Sequence, residues 1–270
     1  MEITQQGDVL SVKHSVEYGG FKSDVYMYLV DGMLVDTGAY RVLDDVIAFY
    51  KDHKDIELAC ITHSHEDHTG TAAWLAQNRQ IPIYIHPMSI ETCAKPGEYP
   101  LYRHGIWGQR DPFAALPLAD QMDSCTKQWK VLHTPGHAAD HMAFLNRATG
   151  MLFSGDLLVT PKTKIILREE SIPTIMSSIR KVLTYDFEEV FCCHRGYVKD
   201  GRQLFEIKLD YLENLSGEII HLYEQGNTMD EIKCRLFPAT PVLFELSDGE
   251  WDSGHIVRTV IEGHKAQMQV

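Results

Sequence analysis

Long apolar runs are missing from this chain of 270 residues. No run approaches the roughly 18 to 20 residues that a membrane-spanning helix needs. The opening segment, MEITQQGDVL, also lacks the basic and apolar stretches of a secretory signal. We therefore expect a protein that is neither inserted in a membrane nor exported, and we place it in the cytoplasm.

A disulfide framework is missing too. The cysteines form no CxxC pair and do not show the pattern of a small secreted domain. Because 44% of the residues are hydrophobic, the chain can bury a substantial core without covalent cross-links. Reduced thiols are the expected state of all six cysteines: Cys60, Cys93, Cys125, Cys192, Cys193 and Cys234.

Basic residues are in short supply. Lysine and arginine number 25 against 38 aspartates and glutamates, which gives a formal net charge of -13. This charge repels polyanions over most of the surface and argues against general nucleic-acid binding. A small-molecule partner is expected instead, and a homodimer is left open as the assembly.

Repeats, low-complexity tracts and flexible linkers are absent as well, which favours one domain over residues 1–270. Apolar periodicity predicts strands near residues 25–30, 33–35, 58–61, 83–85, 128–132, 142–145, 151–153 and 190–193. It predicts helices near residues 41–52, 71–77, 173–183 and 201–225, and a further one after the capping-box pair Thr228 and Glu231. This alternation indicates a layered α/β fold.

Residues 86–127 interrupt the alternation with aromatic residues and five prolines. We interpret this segment as a partly helical excursion rather than sheet, placed where it can cover a site. Its prolines are Pro87, Pro96, Pro100, Pro112 and Pro117.

The stretch THSHEDHTG, residues 62–70, carries the first chemical signal. Three histidines, an aspartate and a glutamate fall within residues 63–68, directly after an apolar run. His63 and His65 share one face of an extended chain, and Asp67 and His68 follow at the end of the strand. Imidazole and carboxylate groups are ligands for Zn, Mn or Fe ions. A metal site is therefore favoured over an ordinary polar loop, in which these groups would repel one another.

Three further strand ends carry a histidine or an aspartate. In VLHTPGHAADH, the pair Pro135-Gly136 predicts a turn with His137 at its tip. Asp156 ends the apolar strand of LFSGDLL, and His194 ends that of VFCCHRG. Each residue alone is more typical of a cap or a loop, but four such strand ends in one chain indicate a shared metal site.

With these positions in order, residues 25–196 resemble the metallo-β-lactamase superfamily of dinuclear metallohydrolases. The resemblance rests on H-x-H-x-D-H at residues 63–68, followed by His137, Asp156 and His194. It implies an αββα sandwich with a site at one edge, extended by mostly helical residues 198–270. The hydroxyacylglutathione-hydrolase-like and lactonase-like branches are the ones it suggests, although the C-terminus shows no glutathione-binding pattern.

The resemblance also assigns a ligand set for two divalent ions, with zinc preferred and iron or manganese as alternatives. Asp36 in LVDTG matches an aspartate that lies behind the metal-binding loop in the family, where it would orient a ligand imidazole. A plain turn aspartate is the alternative for Asp36. By this resemblance one ion is held by His63, His65 and His137, the other by Asp67, His68 and His194, and Asp156 bridges them.

The chemistry implied by the resemblance is hydrolysis. Two adjacent cations lower the pKa of a bridging water from about 15.7 toward 7, so that hydroxide attacks the substrate at neutral pH. Asp67 is implied to pass a proton to the leaving group. His65 stands where oxygen-reducing relatives have glutamate, which favours hydrolysis over redox chemistry. A small ester, thioester or lactone is the leading substrate prediction; a phosphodiesterase and a metal-containing binding or signalling module are the alternatives.

Substrate contacts are predicted in the proline-rich excursion. Members of the superfamily usually build their substrate walls there, and Tyr99, Arg103 and Trp107 are the candidates. A purely structural role for each of them is an equal alternative.

Overall fold

Two β-sheets packed face to face form the centre of the computed structural model, which describes residues 1–269. The strands are β1 Glu2–Gln6, β2 Val9–Tyr18, β3 Phe21–Val30, β4 Met33–Val35, β5 Leu58–Cys60, β6 Ile83–Ile85, β7 Leu116–Pro117, β8 Gln121–Asp123, β9 Gln128–His133, β10 Met142–Asn146, β11 Met151–Gly155, β12 Ile166–Leu167, β13 Val190–Cys192, β14 Gly196–Val198 and β15 Trp251–Asp252. The helices are α1 Leu43–Asp52, α2 Glu66–Thr69, α3 Ala72–Arg79, α4 Ile90–Cys93, α5 Leu101–Trp107, α6 Ile172–Leu183, α7 Gly201–Glu224, α8 Met229–Leu236, α9 Val242–Leu246 and α10 Gly254–Met268.

The first sheet holds β1 to β7 in chain order. Its first four strands pair antiparallel, and β4 to β7 pair parallel because helical connections return the chain to the same end of the sheet. The second sheet has the order β14-β13-β11-β10-β9-β8, and β12 pairs with β15 apart from both sheets. The carboxyl ends of β4, β5 and β6 therefore point to one edge.

The two faces of β3 show how the layers form. Tyr28 points into the sandwich, where its ring centroid lies 5.4 Å from that of Phe153 and 5.3 Å from that of Phe191. Its neighbour Leu29 points to the opposite face and joins Phe49 of α1 in an outer core cluster. Because side chains alternate along a strand, one apolar strand supplies both clusters.

Helices α6, α7 and α10 cover the outer face of the second sheet. A single core cluster joins Leu152 of β11 with Ile179 of α6, Phe205 of α7 and Ile256 of α10. The order is thus helix, sheet, sheet, helix, and the predicted αββα sandwich with a helical C-terminal region is confirmed.

The predicted excursion was only partly correct. Residues 86–127 contain α4 and α5, but they also supply the edge strands β7, paired with β6, and β8, paired with β9. Two- and three-residue strands are too short to show an apolar period, and Pro117 is tolerated because β7 lies at the edge of its sheet. The N-terminal hairpin of β1 and β2 was not predicted either.

No helix within residues 1–269 combines the length and the apolar composition that a bilayer crossing requires.

Candidate metal centre

One edge of the sandwich collects the loops that follow β4, β5, β9, β11 and β13. The two sheets are joined there by a backbone hydrogen bond from the amide of Met142 to the carbonyl of Thr62, with an N–O distance of 2.7 Å. Within the second sheet, the amide of Cys193 donates to the carbonyl of Gly155. These bonds bring four loops that are distant in sequence to one place.

A first group consists of three histidines. The Nδ1 atom of His65 lies 3.0 Å from Nε2 of His63 and 3.1 Å from Nε2 of His137. His63 and His65 come from the loop after β5, and His137 comes from the turn after β9, so both sheets contribute.

A second group lies beside the first. Oδ2 of Asp67 is 3.4 Å from Nε2 of His68 and 3.2 Å from Nε2 of His194. Asp67 and His68 lie on α2, the short helix that follows β5, whereas His194 follows β13.

Asp156 lies between the two groups. Its Oδ2 atom is 3.4 Å from Nε2 of His137, 3.2 Å from Nε2 of His194 and 3.6 Å from Nε2 of His68. The structure thus brings together all seven side chains that the sequence nominated as ligands, from four separate loops.

The spacing of these atoms fits a bound cation. Nitrogen ligands 2.0–2.1 Å from one zinc ion at tetrahedral angles lie about 3.3 Å from each other. Nε2 of His68 and Oδ1 of Asp156 are buried and have no hydrogen-bond partner within residues 1–269. Such atoms are costly to bury unless a ligand satisfies them. The donor set can therefore hold metal ions.

The far side of the ligand histidines is held by the protein. Nδ1 of His68 lies 2.9 Å from Oδ2 of Asp36, and Nδ1 of His137 lies 3.3 Å from Oε2 of Glu170. Nδ1 of His194 donates to the backbone carbonyl of Asp24 over 2.8 Å. These contacts fix each ring so that Nε2 faces the centre.

Asp36 connects the two sheets behind the centre. Besides contacting His68, it accepts hydrogen bonds from the amide of Thr62, at 2.7 Å, and from the thiol of Cys193, at 2.9 Å. Its backbone φ of 60° is in the left-handed region, which aspartate tolerates better than most residues. Asp36 thereby ties the loops after β4, β5 and β13 together.

The pKa values of the histidines in the centre are shifted in opposite directions. Burial opposes charge on His194, but Asp156 and Asp67 raise the pKa of His194 well above its usual range. Burial, together with neighbouring histidines, lowers the pKa of His63 and of His65 well below theirs. Because a histidine must be neutral to bind a metal ion, binding of a cation would displace a proton from His194.

His141 supports the centre and was missed by the sequence analysis. Its Nε2 accepts a hydrogen bond from the backbone amide of Asp156 over 2.9 Å, and its Nδ1 lies 2.8 Å from the hydroxyl of Thr134. Burial lowers the pKa of His141 to about 3, so the ring is neutral and Nδ1 carries its proton. His141 is the last residue of VLHTPGHAADH, and this histidine-rich motif is the sequence feature that could have identified it.

Asp140 and Glu170 were missed as well. The Oδ2 atom of Asp140 accepts hydrogen bonds from the amide of Ser64, at 2.8 Å, and from the hydroxyl of Ser89, at 2.6 Å. Glu170 contacts His137 and also accepts a hydrogen bond from the amide of Leu167. Glu170 lies 33 positions after His137 in a segment without a recognisable motif, so no local pattern marks it.

Glu170→Gln is expected to weaken metal binding about 10- to 100-fold, because the amide cannot hold the His137 ring as a carboxylate does. Competition with a chelator, followed by elemental analysis, measures the effect. Glu188→Gln is the matched control because Glu188 is exposed and lies outside the cavity lining. Equal metal affinity in both variants would contradict this role of Glu170.

A cavity of about 480 Å³ opens onto the centre and is lined by His65, Asp67, His137, Asp156 and His194. Of the predicted substrate residues, Arg103 and Trp107 line this cavity, whereas Tyr99 is not among its lining residues. The Tyr99 hydroxyl instead donates to the carbonyl of Gly108 over 2.6 Å.

Arg103 donates hydrogen bonds to two acidic residues. Its Nη2 donates to Oε2 of Glu66 over 2.8 Å, and its Nη1 donates to Oε1 of Glu250 over 3.2 Å. Glu66 belongs to the THSHEDHTG stretch, so Arg103 joins the excursion and the C-terminal region to the loop that carries the ligands.

The sequence profile of the Metallo-beta-lactamase superfamily matches residues 22–194, which include all seven convergent side chains. The chain belongs to the metallo-beta-lactamase superfamily. The region it shares with curated relatives spans from 34% to 86% of their length, and less than two thirds of most of them.

Two relatives illustrate the range within the superfamily. The Probable metallo-hydrolase YqjP of Bacillus subtilis (strain 168) is 23% identical over 278 residues, covering 86% of this chain and 86% of that protein. A Hydroxyacylglutathione hydrolase of Idiomarina loihiensis is 33% identical over 128 residues, covering 47% of this chain and 41% of that enzyme.

A solved structure extends the likeness to nearly the whole fold. The metallo-beta-lactamase family protein TTHA1429 from Thermus thermophilus superimposes with a TM-score of 0.69 over 96% of this chain and 95% of that one. At 19% identity, this match shows that the C-terminal helices belong to a fold already seen in the superfamily.

Proposed function

We propose that this protein is a hydrolase that holds two divalent metal ions and cleaves a small ester, thioester or lactone. The observation that carries the proposal is the position of Asp156, whose Oδ2 lies within 3.6 Å of ligand nitrogens from both groups of side chains. A carboxylate between two sets of nitrogen and oxygen donors suits a pair of ions. Zinc is the expected metal because histidine and carboxylate are its usual ligands.

The comparisons support the chemical class. Most members of the superfamily are hydrolytic enzymes, and the relatives described above are named as hydrolases. The name hydroxyacylglutathione hydrolase denotes an acyl group as the part transferred to water, which favours an acyl substrate here.

The ions, when bound, supply an activated water at neutral pH and positive charge that stabilises the developing oxyanion. The protein would hold one ion through His63, His65 and His137 and the other through Asp67, His68 and His194. Asp36 orients His68, Glu170 orients His137, and His141 holds the backbone of Asp156. Of these three supporting residues, Glu170 lines the cavity, whereas the other two lie behind it.

Asp67 is the proposed proton carrier. Burial favours its neutral form, but His68 and His194 hold the pKa of Asp67 well below the usual range, so it is an ionised acceptor. Its side chain lines the cavity, where a substrate would bind. The carboxylate oxygen that does not face His68 and His194 can therefore accept a proton and deliver it to the leaving group.

A hydrolysis screen of the metal-loaded protein across lactones, thioesters, phosphodiesters and β-lactams tests the proposal. We expect activated acyl substrates to be cleaved faster than phosphodiesters or β-lactams, because their leaving groups need little protonation. Efficient phosphodiester cleavage with inert acyl substrates would make the protein a phosphodiesterase. No turnover of any class by fully metallated protein would favour a binding or signalling module.

A further inference from the structure

Lys208 is a buried cation in the wall of the same cavity. It lies on α7, its residue surface is 4% exposed, and it lines the cavity together with Asp156 and His194. Its Nζ donates to the backbone carbonyl of Leu158 over 2.7 Å. Nothing in the ligand set described above uses this side chain.

The ammonium group of Lys208 has fewer partners than it can bind. An ammonium carries three N–H donors, and within residues 1–269 the Leu158 carbonyl is the acceptor found for Lys208. Burial lowers the pKa of Lys208 to about 8, and the nearby carboxylates of Glu170 and Asp156 offset only part of this shift. A buried charge in this condition is stabilised by any anion that reaches it.

The carboxylates of the cavity wall already have partners of their own. Asp67 and Asp156 contact histidines of the centre, and Glu170 contacts His137. Asp24 forms an ion pair with Lys13 at 2.9 Å. Within residues 1–269 none of these carboxylates forms an ion pair with Lys208, so an anionic group entering the cavity would meet a buried cation without a directly contacting carboxylate.

The backbone beside Lys208 is strained. Val159 has a φ of 41°, which is unfavourable for a β-branched residue, and it lies in the turn that follows Asp156 and lines the cavity. The bond from Lys208 to Leu158 holds this turn, and the hydroxyl of Tyr211 on α7 holds Thr163 further along over 3.1 Å. Lys208 thus has a fixed position relative to Asp156.

The rest of the cavity wall has the exposed lysines Lys22, Lys162 and Lys164, the ion-paired Arg103 and a group of apolar side chains. Phe21, Ile106, Trp107, Leu243 and Trp251 line it, and the Phe21 and Trp107 rings pack edge to face with centroids 6.3 Å apart. Apolar side chains combined with one buried ammonium suit a ligand that has an apolar body and one anionic group.

We propose that Lys208 determines substrate specificity by binding a carboxylate carried by the ester or thioester substrate. This inference rests on the proposed hydrolase function and adds the chemical class of the substrate. The carboxylate belongs to either the acyl part or the leaving group, and the experiment separates these two sources.

The test compares substrates that differ by one carboxylate. Mono-4-nitrophenyl glutarate and 4-nitrophenyl pentanoate place the difference on the acyl part; 4-acetoxybenzoate and phenyl acetate place it on the leaving group. Wild-type protein is expected to prefer the anionic member of one pair. In Lys208→Met the ratio of kcat/KM for that pair should fall about 10- to 100-fold, the effect of losing a hydrogen bond to a charged group. Lys208→Arg, which keeps the charge, should retain most of the preference.

Equal losses on anionic and neutral substrates in Lys208→Met would show that the residue only supports the turn, and would overturn the proposal.

A binding measurement separates this inference from hydrolysis. Glutarate should change the tryptophan fluorescence of metal-loaded protein, to which Trp107 and Trp251 of the cavity wall contribute, with a Kd at least tenfold higher in Lys208→Met, and pentanoate is the control. Binding that depends on Lys208 without ester cleavage would refute the hydrolase and keep the Lys208 site. Ester cleavage with neither an anionic preference nor Lys208-dependent binding would refute the Lys208 site and keep the hydrolase.

Discussion

Asp156→Ala is expected to lower turnover by about 10³-fold or more while the protein stays folded. The Asp156 carboxylate lies within 3.6 Å of Nε2 atoms from both groups, so its loss would remove the group expected to hold both ions. A pair of ions supplies several kcal/mol of transition-state stabilisation, and each 1.36 kcal/mol is a factor of ten in rate.

The fold should survive because the contact that holds the Asp156 turn uses the backbone. The amide of Asp156, not its carboxylate, donates to His141, and circular dichroism and thermal unfolding would show that the turn is retained. Asp52→Ala is the control, since Asp52 is an exposed carboxylate at the end of α1. Wild-type turnover in folded Asp156→Ala protein would refute the bridging role.

Asp67→Asn is expected to lower turnover about 10²- to 10⁴-fold, the range for loss of a general acid or base. The asparagine oxygen still offers a donor atom toward His68 and His194, whereas the amide cannot accept and return a proton. Metal content should therefore fall much less than activity. Turnover and elemental analysis on the same protein sample measure both quantities.

A parallel loss of metal content and turnover would contradict the role of Asp67 as a proton carrier. If metal content and turnover fall by the same factor in Asp67→Asn, Asp67 serves as a ligand and the proton is carried by another group. A substrate with a better leaving group adds a second check, because its cleavage needs less protonation and should be less sensitive to the substitution.

The sequence predicted the fold well where apolar periodicity was long enough to read. The strands predicted near residues 25–30 and 33–35 are found as β3 and β4, and the helix predicted at 201–225 is found as α7. Strands β7 and β8 were not predicted, because two or three residues are too few to show the alternation of apolar side chains. Their pairing with β6 and β9 defines them as strands.

Some residues of the candidate site could also be predicted from the sequence, whereas others could not. Its convergent side chains stand at the ends of apolar strands or in a dense motif, so local sequence marks them. Glu170 and Lys208 reach the site from segments without a motif, and their roles depend on how the C-terminal helices pack against the second sheet. Contacts between distant segments of the chain leave no local pattern, which is why only the structure shows them.

The most direct measurement of the central claim is the metal content of the purified wild-type chain. Elemental analysis after mild purification, or after reconstitution with Zn, Mn or Fe and removal of excess metal, counts the ions per chain. The arrangement of His63, His65 and His137 beside Asp67, His68 and His194 predicts a value close to two, with a lower value in Asp156→Ala. A chain that stays metal-free after reconstitution with all three metals would contradict the account.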